Sequence, residues 1–540
     1  MTSAELPANG GARPRKRPRV SPPPSLPARP SPPLTSEATP ATSQTPMAAP
    51  PSLPLASLPL HPPSAYLNLN PALSAFQLPF HLTSFSYSPT RELLLDRETR
   101  DDSIALYREP RLGSDLNKGF EQAVWREGSV DEGLDALLDT YGCSSPICSL
   151  ARELMVCQSR RRLAHWAESD PTGAADELLG KISVITWRGM MTKLMLAVYE
   201  TESASRGARA DGWEMNAMVV DGCLYLEESN PPSKLAAKSA SESSYALQSY
   251  YGYSFESYCT SPPPPSIPEE FSIPNTNVQW CSIVKTNLGG FRTIVGGEVD
   301  CVREGADLGK IGTRDFVELK TNLVIQSQRD EVNFERQKLL KHYVQSSTRT
   351  NPLRHDLVLL GVPTVTVGFR TRQGQLTGLQ SFKTLEIPRL VRGKPHAWEP
   401  TACLASARSL LAFIHETLRS STSLPSPSPA GSSPEPAPVF RISFSPSSAN
   451  ATGPGVSIRQ LSQDEVSSEV IAGKKDGERT GFLLTRWVEG VRARRERLEA
   501  RVASSMANGS RSDGHHPTPQ PAKPSHPPPP PCGVAAGLKR

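Results

Sequence analysis

The sequence predicts a mixed α/β fold, a single large domain carried between proline-rich ends, and three observations predict it. Apolar runs with the two-residue alternation of strands interleave with segments of helical apolar spacing between residues 148 and 376. No low-complexity break interrupts residues 73 to 420. The 54 prolines crowd the ends and one stretch from 423 to 438, where Pro, Ser and Ala leave too little apolar surface to offset the entropy of ordering. At about 350 residues the central region exceeds the usual domain size, and it has no repeat period.

Taken in order, residues 1–72 are expected to be a disordered, proline-rich basic tail, with order beginning near L-S-A-F-Q-L-P-F (73–80). The run R-P-R-K-R-P-R (13–19) suits a nuclear import signal or a solvated tail. Residues 148–168 repeat apolar positions at helical spacing. G-K-I-S-V-I-T-W-R-G-M-M (180–191) begins as a strand and turns helical near Arg188 and Gly189. Residues 213–228 read as two strands around an Asp221-Gly222 turn. The polar run 229–244 has the composition of a surface loop. Y-Y-G-Y-S-F-E-S-Y (250–258), N-V-Q-W-C-S-I-V-K-T (277–286), T-I-V-G-G-E-V-D-C-V (293–302) and F-V-E-L-K-T (316–321) follow. Residues 331–346 read as a helix, and 364–376 as two strands turning at Gly374. A Pro/Ser-rich linker (421–438) leads to a segment (439–502) that completes the domain or forms a helix, and 503–540 is a second disordered tail.

The net charge of +5 is concentrated in the N-terminal run and in R-A-R-R-E-R-L-E-A-R (492–501), so bulk charge does not mark the core as a nucleic-acid binder. Nine cysteines without a C-x-x-C spacing argue against a disulfide framework and for a reducing compartment. No stretch reaches the roughly 18 apolar residues of a membrane helix, and the N-terminus lacks an apolar signal core, so no membrane partner is expected.

The chemistry is carried by acids. In a strand Glu318 and Lys320 share a face, as do Glu298 and Asp300 in G-G-E-V-D-C-V. Seventeen residues separate Asp300 from Glu318, room for a return to an adjacent strand. Pairing would bring three carboxylates and one lysine together. Close carboxylates resist ionisation unless a cation neutralises them, and an all-oxygen set suits Mg²⁺ or Mn²⁺. A lysine beside such metals can hold the attacking water or a phosphoryl oxygen. Asp, a gap, then Glu-x-Lys is the pattern of the PD-(D/E)XK nuclease superfamily; a charge ladder on an exposed strand is the alternative reading.

Six segments in order resemble the DXO/Rai1 family of RNA 5′-end decapping nucleases, the layout being most like a fungal Rai1. They are W-R-G-M-M-T-K (187–193), Y-Y-G-Y-S-F-E ending in Glu256, E-V-D (298–300), E-L-K (318–320), K-L-L-K-H-Y-V-Q-S with Gln345, and G-V-P-T-V-T-V-G-F-R-T-R-Q-G-Q-L. The resemblance implies two β-sheets forming the active-site core, flanked by helices. It implies that Glu256, Glu298, Asp300, Glu318 and the Leu319 carbonyl bind the metals, which would be two Mg²⁺ or Mn²⁺ ions. It further implies that Lys320 and Gln345 orient the scissile phosphate or the water, and that Arg188 holds an RNA phosphate. The implied reactions are pyrophosphate release from 5′-triphosphate RNA, removal of incompletely methylated caps and removal of NAD caps, in RNA quality control in the nucleus. The implied partner is the nuclear 5′-3′ exoribonuclease (Rat1-like). The alternative is a catalytically weak activating partner of that enzyme. Here His342-Tyr343 stands where the family has an aromatic pair, and 346–360 is longer than the family's link.

Overall fold

The structure, a computed structural model, describes residues 53–126, 131–143, 181–207, 212–263, 270–346, 359–422, 437–447 and 453–509. The helical repeat of 148–168, the basic run at 13–19 and most of the long link at 346–360 lie outside these residues.

In chain order the strands of the two large sheets are β1 (Ala56–Pro59), β2 (Phe76–Tyr87), β3 (Leu93–Leu94), β4 (Leu106–Tyr107), β5 (Val184–Trp187), β6 (Trp213–Val220), β7 (Cys223–Glu228), β8 (Thr260–Ser261), β9 (Gln279–Leu288), β10 (Phe291–Glu298), β11 (Cys301–Val302), β12 (Phe316–Leu323), β13 (Thr364–Arg370), β14 (Leu376–Lys383), β15 (Phe440–Ser445) and β16 (Gly455–Gln460). They form a ten-stranded sheet, ordered β1-β16-β15-β6-β7-β5-β10-β9-β2-β3, and a six-stranded sheet, ordered β14-β13-β12-β11-β4-β8. The helices that matter for the site are α1 (Asp135–Cys143), α2 (Arg188–Ser205), α3 (Pro232–Tyr258), α4 (Gln328–Asn333), α5 (Leu340–Ser346), α6 (Pro400–Thr422) and α7 (Thr485–Gly509). A π-helical turn, Phe334–Leu339, joins α4 to α5.

Burial follows the alternation of the strands. One face of the large sheet contributes Val184, Met215, Leu224 and Val295 to a core shared with α2 and α6. Its other face contributes Ile185, Met218, Tyr225 and Ile294 to a second core closed by α1 and by Trp487 and Val488 of α7. In β12, Phe316 enters the first core, while Val317 and Leu319 face a third, made with Tyr251, Phe255 and Tyr258 of α3. Gly368 lets α3 approach this closely, because a Cβ there would lie 2.4 Å from Phe255 Cε2.

Two expectations are corrected. Order begins before residue 73: β1 pairs antiparallel with β16, Ala56 opposite Ile458. The polar run 229–244 is not a loop throughout: residues 232–244 are the first half of α3, entered through Pro231 and Pro232. Proline at the first helical position gives up no hydrogen bond, and the K-L-A-A-K that follows is rich in good helix formers. Residues 440–445 and 455–460 join the large sheet beside β6, and a helix, α7, follows.

Candidate active site

The two sheets meet at the site through one short link. β10 ends at Glu298 in the large sheet, and β11 begins at Cys301 in the small one, so Val299 and Asp300 carry the chain across. This corrects the expected geometry: Glu298 and Asp300 do not share one continuous strand, and Glu298 is not in the sheet of Glu318. The expected return does form, since β11 pairs antiparallel with β12, Cys301 opposite Val317. That register sets Asp300 beside Glu318. Arg188 arrives on the parallel strand β5, where Trp187 lies opposite Gly296. Gly296 permits that approach; a Cβ would stand 3.0 Å from Trp187 Cζ3 and 2.5 Å from Leu137 Cδ1.

Four charged groups touch. Arg188 Nη1 donates to Glu318 Oε2 at 2.9 Å. The Lys320 ammonium lies 2.8 Å from Glu318 Oε1, off the axis of a hydrogen bond, and donates to Asp300 Oδ2 at 3.2 Å and to the Leu319 carbonyl at 2.8 Å. Asp300 Oδ2 also accepts from the Leu319 N–H at 2.7 Å. The Glu318 side chain is 1% exposed and Asp300 8%. Among the described residues no hydrogen bond reaches the carboxylates of Glu256, on α3, or Glu298, although both lie within Coulombic range of Asp300, Lys320 and Glu318.

Four carboxylates, Glu318 buried and Glu256, Glu298 and Asp300 half-buried, therefore share a site with two cations, and desolvation and their mutual charge set their acidities. Burial, then the Asp300 charge, pushes Glu298 up to about 7. Burial and Asp300 raise Glu256 well above the ordinary carboxylate range, and burial and Glu318 raise Asp300. Glu318 moves the other way: burial opposes its ionisation, but Arg188 and Lys320 together outweigh that and hold it low. The surplus acids hold the Lys320 ammonium up despite its burial.

As the side chains stand, no three His, Cys, Asp or Glu among the described residues form a ready-made metal cluster. The donor set nevertheless fits a divalent cation. The Lys320 ammonium gathers an oxygen each from Asp300, Glu318 and Leu319, oxygens of the hard type that Mg²⁺, Mn²⁺ and Ca²⁺ take. The excess negative charge is what a divalent cation offsets.

Gln345 lies on α5, half-buried, one turn beyond Lys341. The Lys341 ammonium, exposed at the surface, is pulled below its ordinary value by partial desolvation and then by Lys338, against the opposing charge of Glu200. His342 is buried and pushed down to about 3 by desolvation and Lys320, which keeps it neutral. Sequence reasoning missed that Arg188 meets Glu318, a contact across 130 residues.

Residues 77–471 match the family model described as RAI1 like PD-(D/E)XK nuclease. The chain is similar to the Decapping nuclease RAI1 of Mycosarcoma maydis, 33% identical over 493 residues that cover 78% of this chain and 89% of that protein. Among solved structures it is similar to Scheffersomyces stipitis Rai1 in complex with (3'-NADP)+ and calcium ion, with TM-score 0.56 and 21% identity, covering 78% of this chain and 97% of that one. It is also similar to Candida albicans Rai1 in complex with pU5-Mn2+, with TM-score 0.54 and 19% identity, covering 82% and 99%. At these identities the two structures establish the shared mixed α/β fold.

Proposed function

The chain belongs to the family of RAI1-like PD-(D/E)XK nucleases, and from that membership we propose that it is a decapping nuclease, a divalent-metal-dependent hydrolase of RNA 5′ ends. The observation that carries the reading is the gathering of Asp300 and Glu318 on Arg188 and Lys320, with Glu256 and Glu298 within Coulombic range, an excess of carboxylates over cations at a largely enclosed site. Complexes of the two fungal relatives with calcium and manganese support dependence on a divalent ion. The finer assignment is to Mg²⁺ or Mn²⁺, two ions, held by the four carboxylates and the Leu319 carbonyl.

Bound there, the ions would supply an activated water and a field for charge developing on the phosphoryl group. The chain's own groups complete the arrangement. The Lys320 ammonium, beside Asp300 and Glu318, is placed to hold a phosphoryl oxygen or orient the water. Arg188 holds Glu318 ionised and offers its remaining N–H groups to an RNA phosphate. Gln345, half-buried on α5, would join Lys320 in orienting the scissile phosphate or the water.

The substrates that follow are 5′-triphosphate RNA, losing pyrophosphate, and RNA with incompletely methylated or NAD caps. The proposal extends to work in the nucleus beside a Rat1-like 5′-3′ exoribonuclease, which the protein would bind and stabilise. Purified protein and an Asp300→Asn, Glu318→Gln variant are to be incubated with triphosphate, unmethylated-cap and NAD-capped RNA, with Mn²⁺, Mg²⁺ or chelator. The expected outcome is metal-dependent product from at least one RNA with the unmodified protein and none with the variant. No product from any RNA would sink the enzyme reading and leave the partner role.

A further inference from the structure

Four aromatic rings gather against the helix that carries Glu256, and two of them face solvent. Trp125 is 41% exposed and Tyr253 39%. Their ring centroids stand 6.0 Å apart, nearly perpendicular at 81°. Behind them Tyr250 packs edge-on against Phe120 at 5.2 Å and lies 6.2 Å from Trp125, and its hydroxyl donates to the Lys118 carbonyl. The exposed pair is therefore braced by buried Tyr250 and half-buried Phe120. Trp213, Trp280, Trp398 and Trp487, in contrast, are each at most 8% exposed. An exposed, supported indole and phenol offer large contact area at little entropy cost on binding.

Position decides what they contact. Tyr253 precedes Glu256 by three residues on α3, a separation of about 4.5 Å along the helix axis. Any strand whose 5′ end lies among the carboxylates has its next nucleotides within reach of that surface. Every base has a π-face, so such a surface holds single strands without selecting sequence. Lys118, exposed and joined to Tyr250 through its carbonyl, adds a cation at the border.

We propose that Trp125 and Tyr253 form a stacking platform for the bases of single-stranded RNA that follow the 5′ end held in the active site. The inference rests on the RNA 5′-end reading and adds a binding surface to it. It makes affinity depend on RNA length, with no base preference.

The test measures binding by the full chain in chelator, without turnover, to 5′-phosphorylated oligouridylates of two and of eight nucleotides. The unmodified protein should prefer the longer RNA. In Trp125→Ala, Tyr253→Ala that preference should collapse, with about tenfold or greater loss for the longer RNA. Trp125→Phe, Tyr253→Phe, which keeps both rings, should retain it. An unchanged preference in the alanine variant would overturn the platform. So would equal loss in both variants, which would indicate damage to the fold, or unchanged RNA affinity with loss of a protein partner, which would make this a protein-docking face. If the enzyme reading alone fails, no RNA is cut with metal present while length-dependent binding in chelator persists.

Discussion

The active site and the seam that anchors the C-terminal segment are both buried clusters of charge, and they differ in balance. In the seam every acid named here has a charged donor. Lys474, 1% exposed, donates to Asp131 at 3.0 Å and to Glu227 at 2.9 Å. Arg479 holds both oxygens of Asp135, at 3.1 and 2.6 Å, and Arg494 holds Asp221. In the active site only Asp300 and Glu318 are so held. Saturated charge fastens a segment in place; an unsaturated cluster is unstable by itself and reserves its affinity for a cation. The difference separates structural from functional polarity without reference to any ligand.

Breaking each cluster should therefore give opposite signatures. The largest effect is expected from Asp300→Asn, Glu318→Gln: hydrolysis of 5′-triphosphate RNA should fall by about a thousandfold or more, with the circular dichroism spectrum unchanged. In the seam, Lys474→Met should cost about 3–5 kcal/mol in urea unfolding, because Glu227 and Asp131 would stay buried without their cation. Arg188→Lys keeps the charge but loses the guanidinium geometry, and kcat should drop about 10- to 100-fold. Glu298→Gln removes surplus charge, so in chelator at pH 8 it should stabilise the fold by about 1 kcal/mol while lowering activity.

The pH dependence sharpens the contrast. Glu298 is raised from 4.5 to about 7 in the fold, so the folded state binds its proton more tightly than the unfolded chain. That contribution is complete below pH 4.5 and is lost as pH rises through about 7. Asp300 and Glu256 shift in the same sense. Glu227 of the seam, raised to about 7 by burial against the pull of Lys474, does too. The urea midpoint in chelator should thus fall between pH 5 and 8. Mn²⁺ should remove the active-site share of that fall and leave the share of Glu227.

Much of the architecture was legible because it is local. Alternation and the Asp221-Gly222 and Gly374 turns mark β5 to β7 and β12 to β14, and the acids of E-V-D and E-L-K mark the site. What escaped depends on distant partners. β1 is four residues in a proline-rich run and becomes a strand by pairing with β16, some 400 residues away. The start of α3 looks like a loop until its helix formers are read past the serines. The sheet change at Val299-Asp300 leaves no turn signal in G-G-E-V-D-C-V, which reads as one continuous strand. The pairing of Arg188 with Glu318 and the exposure of Trp125 and Tyr253 are properties of the assembled fold alone.

The central claim, that the surplus carboxylates form a site for a divalent cation, is tested most directly by calorimetric titration of Mn²⁺ into chelator-treated, dialysed protein at pH 6 and pH 8. Acids raised by burial and mutual repulsion must ionise to bind, so binding should be tighter at pH 8, release protons at pH 6, and vanish in Asp300→Asn, Glu318→Gln. Equal affinity at both pH values without proton release, or undiminished binding by the variant, would contradict it.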